Sequence, residues 1–548
     1  MTAPTLTHRL LDALRARGAT EIFGIPGDFA LPLFREFERA AVLPVHTLSH
    51  EPAVGFAADA ATRARGGLGV AAVTYGAGAF NLVNTVAAAY AERVPLVVLS
   101  GAPAAHEAAS GLLLHHQVKT LDSQWRVFEE LTVDRARLDD ARRAPERIAR
   151  VLDAALHRSR PVYLEFPRDM PAVPCDAVPP PAAPAWDPDR LAACADELLQ
   201  RLRRAARPVL MVGVEVRRFG VEAAVAELAR RLAIPVVTNL MGSGLLADQD
   251  VPYAGAYLGL AGDPAVSALV EGSDGLLLLG VIVSDTDFAV SARRIDIRHA
   301  MHVFDGDVAM GHHVYHRLPL AQLVDALLAR VPAPTARSAP SAPPPAPPPA
   351  GVPADGAAVT PADIAAAVNA LMREHGALPI ACDVGDCLFT AMQIDRTALI
   401  APGYYAGMGY AVPAGLGLQV ATGVRPLVLV GDGAFAMTGW ELGNAARLGC
   451  DPIVVVFNNA SWEMLRTFEP ASRFNDIGRW DFASMAAGMG GDGHAVRTRG
   501  ELVAALQRAQ ATRGRFQLLD VRIEPGVLSP TLQRFVAAVK RLSMPGES

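Results

Sequence analysis

The chain has 548 residues, of which 51% are apolar and 19% charged, so it can form three or four domains with sizeable cores and is not a disordered protein. Its 50 Lys and Arg residues against 56 Asp and Glu residues give a formal charge of −6. This balance leaves no excess of positive charge for a nucleic-acid backbone and argues against nucleic-acid partners. The five scattered cysteines contain no CxxC pair, which favours a reducing compartment over a disulfide framework or a zinc site.

The first 18 residues, MTAPTLTHRLLDALRARG, combine apolar residues at helical spacing with charged residues, including internal arginines. This pattern predicts an amphipathic helix, and its internal arginines are not typical of a signal peptide. The chain also has no stretch of 18 uncharged apolar residues, the minimum expected of a membrane-spanning helix. We therefore expect a soluble, cytoplasmic protein without a membrane partner.

Two proline-rich stretches, residues 171–188 and 332–353, divide the chain, because proline lacks the N–H that helices and central strands need. The predicted domains are residues 1–178, 186–331 and 355–548, with residues 332–354 as an extended linker.

Each segment contains short apolar runs separated by alanine-rich helical stretches, a pattern typical of parallel strands covered on both faces. We therefore predict an α/β protein with three tandem doubly wound parallel-sheet domains. The predicted strands lie within residues 21–27, 69–76, 95–101, 161–167, 208–216, 234–240, 275–283, 301–307, 378–386, 425–435, 451–459 and 516–523.

Ligands bind where parallel strands end, and two such ends in the last segment carry a spaced motif. Gly431-Asp432-Gly433 follows one apolar run, and Asn459 comes 27 residues after Asp432 at the end of the next. Asp432, Asn459 and the carbonyl of Ser461 would supply hard oxygen ligands for Mg²⁺. The two glycines, and the amides of a helix starting near Ala434, would approach a diphosphate. GDG alone is also compatible with an ordinary tight turn, whereas the spaced pair favours a metal and diphosphate site.

This GDG and NN pair resembles the cofactor motif of thiamine diphosphate-dependent enzymes, and the resemblance extends over essentially the whole chain. Ile25-Pro26-Gly27-Asp28, the glutamate of SHEPAVGF (Glu51) and His115-His116 in GLLLHHQ resemble the 2-keto acid decarboxylase branch. The chain is most similar to the bacterial phenylpyruvate and indolepyruvate decarboxylases. The resemblance implies a pyrimidine-binding domain, a middle domain and a diphosphate-binding domain, in that order.

The resemblance also implies cofactor contacts. Glu51 would hydrogen-bond the pyrimidine ring and so promote deprotonation of the thiazolium. In GYYAGMGYAVP, Met408 would wedge the cofactor into its bent shape and the Ala406 carbonyl would meet the pyrimidine amino group. Asp386 and Cys387 would lie near the diphosphate. The alternatives are that Met408 is an ordinary core residue and that the turn before Asp386 is a plain one.

The implied reaction is non-oxidative loss of CO₂ from a 2-keto acid, which leaves an aldehyde and needs several proton transfers. Asp28, His115 and His116 are the candidates for these transfers.

One departure from the family concerns the helix after the NN pair. Most pyruvate decarboxylases have a glutamate where this chain has Leu465, while Glu463 lies two places earlier. Two residues on a helix correspond to a rotation of about 200°, so Glu463 cannot simply substitute. We therefore expect another acid to contribute. Asp285 in VIVSDTDF is the candidate, and Asp287, two residues further on, is the alternative because it would point the same way in an extended segment.

Pocket size indicates the substrate. Pyruvate decarboxylases of this family have a Trp and a Tyr at the positions that match Leu388 and Thr286 in this chain. The smaller side chains here would leave room for an aryl group beside Leu465. Trp462 and Phe468 could line the same pocket, or belong to a helix face buried in the core.

These patterns favour an aromatic 2-keto acid, phenylpyruvate or indole-3-pyruvate, with thiamine diphosphate and Mg²⁺ as cofactors. A carboligase, a decarboxylase of aliphatic 2-keto acids and a catalytically dead cofactor-binding homologue are the alternatives. The family builds its site from two subunits, so we expect a homodimer or homotetramer with the active site at the interface.

Overall fold

The structure is a computed structural model that describes residues 3–247, 249–288, 295–333, 351–395 and 397–543. Most of the predicted linker, residues 334–350, lies outside the described residues. The chain forms two compact units, one of Met1–Pro184, Val412–Val424 and Thr438–Cys450, the other of Ala185–Ala411, Arg425–Met437 and Asp451–Ser548.

The first unit is built on one six-stranded sheet whose strands are all parallel, in the order β2-β1-β3-β4-β6-β5. The central strands β3 and β4 are buried along their whole length. The strands are β1 (Ile22–Gly24), β2 (Val45–Thr47), β3 (Gly69–Val73), β4 (Leu96–Ala102), β5 (Arg135–Arg137) and β6 (Val162–Pro167).

The second unit contains two sheets. The middle sheet has the order β13-β12-β11-β10-β7-β8-β9, and its last two strands, β12 and β13, run antiparallel to their neighbours. Its strands are β7 (Pro208–Val212), β8 (Val236–Asn239), β9 (Tyr253–Tyr257), β10 (Gly275–Leu279), β11 (Met301–Phe304), β12 (Asp307–Met310) and β13 (His313–Tyr315).

The third sheet is entirely parallel, in the order β15-β14-β16-β17-β19-β18. Its strands are β14 (Ile380–Cys382), β15 (Leu399–Ile400), β16 (Leu427–Gly431), β17 (Ile453–Asn458), β18 (Asp492–Val496) and β19 (Gln517–Arg522). The prediction of three α/β domains based on parallel sheets is confirmed, with an antiparallel hairpin added to the middle sheet.

Helices connect the strands. In chain order they are α1 (Leu6–Ala16), α2 (Leu31–Ala40), α3 (Glu51–Arg65), α4 (Ala77–Asn81), α5 (Val83–Ala91), α6 (Ala105–Ala108), α7 (Ser123–Leu131), α8 (Ala144–Arg158), α9 (Pro188–Arg204), α10 (Glu215–Arg218), α11 (Glu222–Leu232), α12 (Pro264–Glu271), α13 (Asp285–Phe288), α14 (Leu320–Arg330), α15 (Pro361–His375), α16 (Asp386–Ala391), α17 (Ala411–Thr422), α18 (Asp432–Thr438), α19 (Ala445–Leu448), α20 (Glu463–Arg466), α21 (Phe482–Gly488), α22 (Arg499–Ala511) and α23 (Pro530–Ser543).

The amphipathic helix predicted at the N-terminus is α1. The side chain of Thr5 caps it by accepting the amide of His8, and Leu6, Leu10 and Leu14 are buried against the first sheet's core. Among the described residues, every helix is too short or too polar to cross a bilayer.

Strands β16 and β17 place the GDG and NN motifs side by side. Both are continuous apolar runs, LVLVG and IVVVFN, buried nearly throughout because helices cover both faces of a parallel sheet. They pair in parallel with Gly431 opposite Phe457. Their ends therefore bring Asp432 and Asn459 to one edge of the sheet.

Candidate active site

Asp28, His115 and His116 form a cluster in the first unit. The ring nitrogen Nε2 of His115 hydrogen-bonds to Oδ2 of Asp28, and Nε2 of His116 lies 3.7 Å from Oδ1. Burial raises the pKa of Asp28, but the hydrogen bonds from His115 and the Phe29 amide, with the charges of both histidines, outweigh it and lower the pKa. The cluster thus keeps Asp28 ionised beside two imidazole rings.

Packing fixes the two imidazoles. The ring of Phe29 stacks on His115 with centroids 4.7 Å apart. His116 has a φ of +64°, and its carbonyl oxygen would lie 2.1 Å from a Cβ at residue 76, so only glycine fits there. Gly76 in turn donates its amide to Oε1 of buried Gln124 over 2.7 Å. The histidine pair therefore rests on a fixed backbone.

Glu51 is the first residue of α3. Its Oε2 accepts a hydrogen bond of 3.0 Å from Nδ2 of Asn81, at the end of α4. Gly78 approaches the same carboxylate, since a Cβ there would lie 3.5 Å from Oε1. The short helix α4 thus holds the glutamate at the N-terminus of α3, where a carboxylate is favoured.

Asp432 and the loop after β17 form a cluster in the second unit. Oδ1 of Asp432 accepts the Gly433 amide at 2.8 Å, and Oδ2 accepts the Ala460 amide at 2.6 Å. Asn459, which is also buried, accepts the Ser461 amide at 3.1 Å. Burial raises the pKa of Asp432 to about 6, against four amides that lower it.

A cation would relieve this desolvated carboxylate, and the carboxylate, amide and carbonyl oxygens are the ligand types that Mg²⁺ takes. The donor set therefore fits the metal predicted from the motif.

The two motif glycines differ in their surroundings. A Cβ at Gly431 would meet nothing within 4 Å, whereas a Cβ at Gly433 would lie 2.0 Å from the ring of Trp462. Gly433 is thus required by the indole packed on it, and Gly431 leaves open space beside the backbone for a diphosphate. Ala434 is buried, and the helix starts at Asp432 rather than near Ala434.

Asp383 organises the loop that carries Met408. This fully buried residue follows β14 and accepts the amides of Gly409, at 3.2 Å, and Ala411, at 2.9 Å. Burial raises its pKa to about 6. Met408 is half-buried, and Ala406 is exposed with a φ of +59°.

Asp386 and Cys387 begin α16, the helix that follows β14 of the third sheet. Oδ2 of Asp386 accepts the amide of Ser529 at 2.9 Å, while Oδ1 is buried and has no hydrogen-bond partner among the described residues. Burial raises the pKa of Asp386 to about 6. Cys387 is buried, with its Sγ directed at the carbonyl of Asp383. The unpartnered Oδ1 leaves Asp386 able to accept one more donor.

The middle sheet positions two aspartates differently. Asp285 is exposed at the start of α13 and accepts the amide of half-buried Thr286. Asp287 is only 1% exposed and accepts Nδ2 of Asn239 and the Leu240 amide. Only Asp285 is therefore open to a substrate.

Leu465 and Glu463 lie in different surroundings on α20, as predicted from the rotation between them. Leu465 is 51% exposed, whereas Glu463 is buried and accepts the amide of Gly526 at 2.9 Å. Phe468 is 38% exposed, and Leu388 is 4% exposed within the apolar core of the third sheet.

The sequence did not reveal the supporting roles of Asn81, Asp383 and Asp287. Asp383 lies within the predicted strand of residues 378–386 and directly follows β14, which was the available signal. Asn81 binds Glu51, and Asp287 binds Asn239 and Leu240, partners that lie far away in the sequence.

The chain is similar to known proteins along almost its whole length. Models of the thiamine pyrophosphate (thiamine diphosphate) enzymes match residues 4–125 as the N-terminal TPP binding domain, 195–330 as the central domain and 383–521 as the C-terminal TPP binding domain. An indole-3-pyruvate decarboxylase of Azospirillum brasilense is 62% identical over 541 residues, 98% of each chain. An alpha-keto-acid decarboxylase of Mycobacterium tuberculosis is 30% identical over 94% of each chain, and one of Mycobacterium leprae is 28% identical over 97% of this chain and 96% of the relative. The chain belongs to the thiamine pyrophosphate-dependent enzymes, in the family of the 2-keto acid decarboxylases.

Proposed function

We propose that the protein decarboxylates an aromatic 2-keto acid, phenylpyruvate or indole-3-pyruvate, to the arylacetaldehyde and CO₂. The observation that carries the proposal is the cluster of Asp28, His115 and His116, whose ligating atoms all lie within 4.8 Å of one another. Several proton transfers are needed, and this cluster brings one carboxylate and two imidazole rings, the side-chain types that act as general acids and bases, close together. The high identity to an indole-3-pyruvate decarboxylase supports the aromatic substrate.

Thiamine diphosphate, when bound, accepts the electron pair left by the departing CO₂. Glu51, held by Asn81, would hydrogen-bond the pyrimidine ring. Ala406 would supply a carbonyl, and Met408, on the loop held by Asp383, would support the cofactor's bent shape. Asp432, Asn459 and the Ser461 carbonyl would hold Mg²⁺, and Gly431, Gly433, Asp386 and Cys387 would border the diphosphate.

The substrate pocket would include Thr286, Leu388, Trp462, Leu465 and Phe468. The exposure of Leu465 and Phe468 supports this role, whereas the buried Leu388 would shape the pocket from behind. Asp285, the exposed acid of α13, would handle a proton in place of the glutamate that Leu465 replaces.

We also propose a cytoplasmic homodimer or homotetramer with predicted domains 1–178, 186–331 and 355–548. All five cysteines are free, as expected in a reducing compartment. Exposed apolar side chains, among them Tyr404, Trp440 and Phe474, offer surface for a second copy of the chain. Light scattering together with an assay at nanomolar concentration tests the assembly, and a fully active monomer would contradict it.

The test of the reaction is an aldehyde-release assay on aromatic and aliphatic 2-keto acids, with and without thiamine diphosphate and Mg²⁺. We expect release that depends on both cofactors and is fastest with an aromatic substrate. Cofactor-independent release, or preference for a short aliphatic acid, would contradict the proposal.

A further inference from the structure

Three polar side chains of one short segment reach the same loop of the first unit. The segment is a 3₁₀-helix, Gly439–Asn444, that continues into α19. Glu441, Asn444 and Arg447 recur every third residue and so lie on successive turns of one face. The loop comprises residues 47–50, which connect β2 to the start of α3.

Glu441 binds the loop backbone. Its carboxylate is fully buried, and Oε1 and Oε2 lie 3.2 and 3.1 Å from the amide nitrogen of Ser49. Asn444 bridges the two, since its Nδ2 donates to Oε2 of Glu441 over 2.8 Å and to Oγ of Ser49 over 2.9 Å.

Arg447 binds the other end of the loop. One terminal nitrogen donates to Oγ1 of Thr47 over 2.8 Å, and the second donates to the carbonyl oxygen of Thr47 over 2.5 Å. The second nitrogen also reaches Oδ1 of Asn444 at 2.7 Å. The three side chains therefore form one hydrogen-bonded unit that holds both ends of the loop.

A helix start is usually held in place by a hydrogen bond to the side chain of its N-cap residue. His50, which precedes Glu51 at the N-cap of α3, makes no such hydrogen bond. A buried carboxylate is costly unless several donors surround it. Burial does raise the pKa of Glu441, against the Ser49 amide, the Asn444 side chain and the charge and amide of His50. The entry of the chain into α3 is thus set by Glu441 and its neighbours.

We propose that Glu441, Asn444 and Arg447, which we call the loop clamp, are positioning residues that orient Glu51 for its hydrogen bond to the pyrimidine ring. The clamp fixes the backbone that enters α3, and Asn81 fixes the carboxylate, so two contacts determine the direction of the side chain. The inference rests on the role proposed above for Glu51.

The first test uses amide hydrogen exchange in the protein without cofactor. Glu441→Gln keeps the side chain's size but puts an NH₂ group where Ser49 or Asn444 donates. We expect exchange on the order of tenfold faster in the peptide that contains Ser49 and His50. Glu36→Gln is the matched control, because Glu36 is a buried glutamate of the same unit that binds Thr5 instead. Unchanged exchange in Glu441→Gln would overturn the clamp.

The second test measures H/D exchange at the thiazolium carbon of bound thiamine diphosphate. We expect Glu441→Gln to slow it on the order of tenfold, since small misplacements of a reacting group have large effects, and to add nothing in a Glu51→Gln background. If Glu441→Gln slowed this H/D exchange further in the Glu51→Gln background, Glu441 would not act through Glu51.

Arg447→Gln, at an exposed position, gives the same test if Glu441→Gln does not fold. It should loosen the same peptide and slow the same exchange, and a normal result in both measurements would overturn the proposal. Neither measurement uses a 2-keto acid. The clamp can therefore fail while the proposed reaction stands, and the converse also holds.

Discussion

Asp285 and Asp287 lie two residues apart, and the structure assigns them different environments. Asp285 is exposed, whereas Asp287 is buried and accepts Nδ2 of Asn239, the Leu240 amide and the Ser284 hydroxyl. We expect Asp285→Asn to lower kcat with little effect on stability. Asp287→Asn should instead change the stability of the middle sheet and its pH dependence.

The size of the Asp287 effect follows from its pKa, which burial raises from 3.8 to about 6. One pKa unit corresponds to about 1.4 kcal/mol, so ionising Asp287 costs the folded protein about 3 kcal/mol more than the unfolded chain. The pKa of Asp287 is higher in the folded protein than in the unfolded chain. Protonated Asp287 therefore contributes its full stabilisation below pH 3.8, and this contribution is lost as the pH rises to about 6. Asparagine stays neutral at every pH. The free energy of unfolding of the Asp287→Asn variant, relative to that of the parent, should therefore rise by about 2 kcal/mol between about pH 4.5 and about pH 7.

Native-state amide exchange measures this difference in the peptide that contains Leu240 and Gly242, whose amides bind Asp287 and Asn239. Asp285→Asn is the matched control and should keep most of the parent's pH dependence, because the charge of Asp285 contributes least among the causes that shift the pKa of Asp287. A constant difference between Asp287→Asn and the parent across this range would refute the reasoning from burial. If Asp285→Asn leaves kcat unchanged, the proton role proposed for Asp285 is wrong.

Three further predictions concern the cofactor and the substrate. Asp432→Ala removes the charged ligand and should abolish retention of Mg²⁺ and thiamine diphosphate through gel filtration; full retention would contradict the metal site. Glu51→Gln should keep cofactor binding but lose most thiazolium H/D exchange by NMR, and exchange at the parent's rate would remove Glu51 from the mechanism. Leu388→Trp overpacks a position that is 4% exposed, which should cost about 1–3 kcal/mol of stability and lower kcat/KM for phenylpyruvate more than for a short 2-keto acid. An unchanged ratio of the two kcat/KM values would show that Leu388 does not shape the pocket.

The sequence predicted the interior strands of each sheet but not the edges. The apolar runs that became β3, β10 and β17 are buried along their whole length, and such runs are readable because both faces of the strand exclude water. The strands missed were β2, β5, β9, β12, β13, β15 and β18. All lie at a sheet edge except β12, which is next to one. Edge strands such as Arg135–Arg137 and His313–Tyr315 are partly exposed and polar, so composition does not distinguish them from loops.

Part of the candidate site could be predicted because its chemistry requires particular residues at strand ends. Asp432 and Asn459 follow adjacent interior strands, so their proximity follows from the parallel pairing of β16 and β17. The residues that hold loops in place could not be predicted in this way. Glu441 lies 392 residues from Ser49, and no periodicity or motif connects positions so far apart. Only the folded chain places that carboxylate against that amide.

Buried acids share one task in this protein. Backbone amides in the loops at strand ends have no ladder partner and need acceptors, and a carboxylate can accept several of them at once. Asp287, Asp383 and Glu441 each accept amides of a loop from a buried position, and burial raises the pKa of each. A side-chain amide in their place would face at least one N–H donor with another donor. A buried acid that accepts loop amides is therefore not by itself a candidate for proton transfer, whereas an exposed acid such as Asp285 is available for the proton role proposed above.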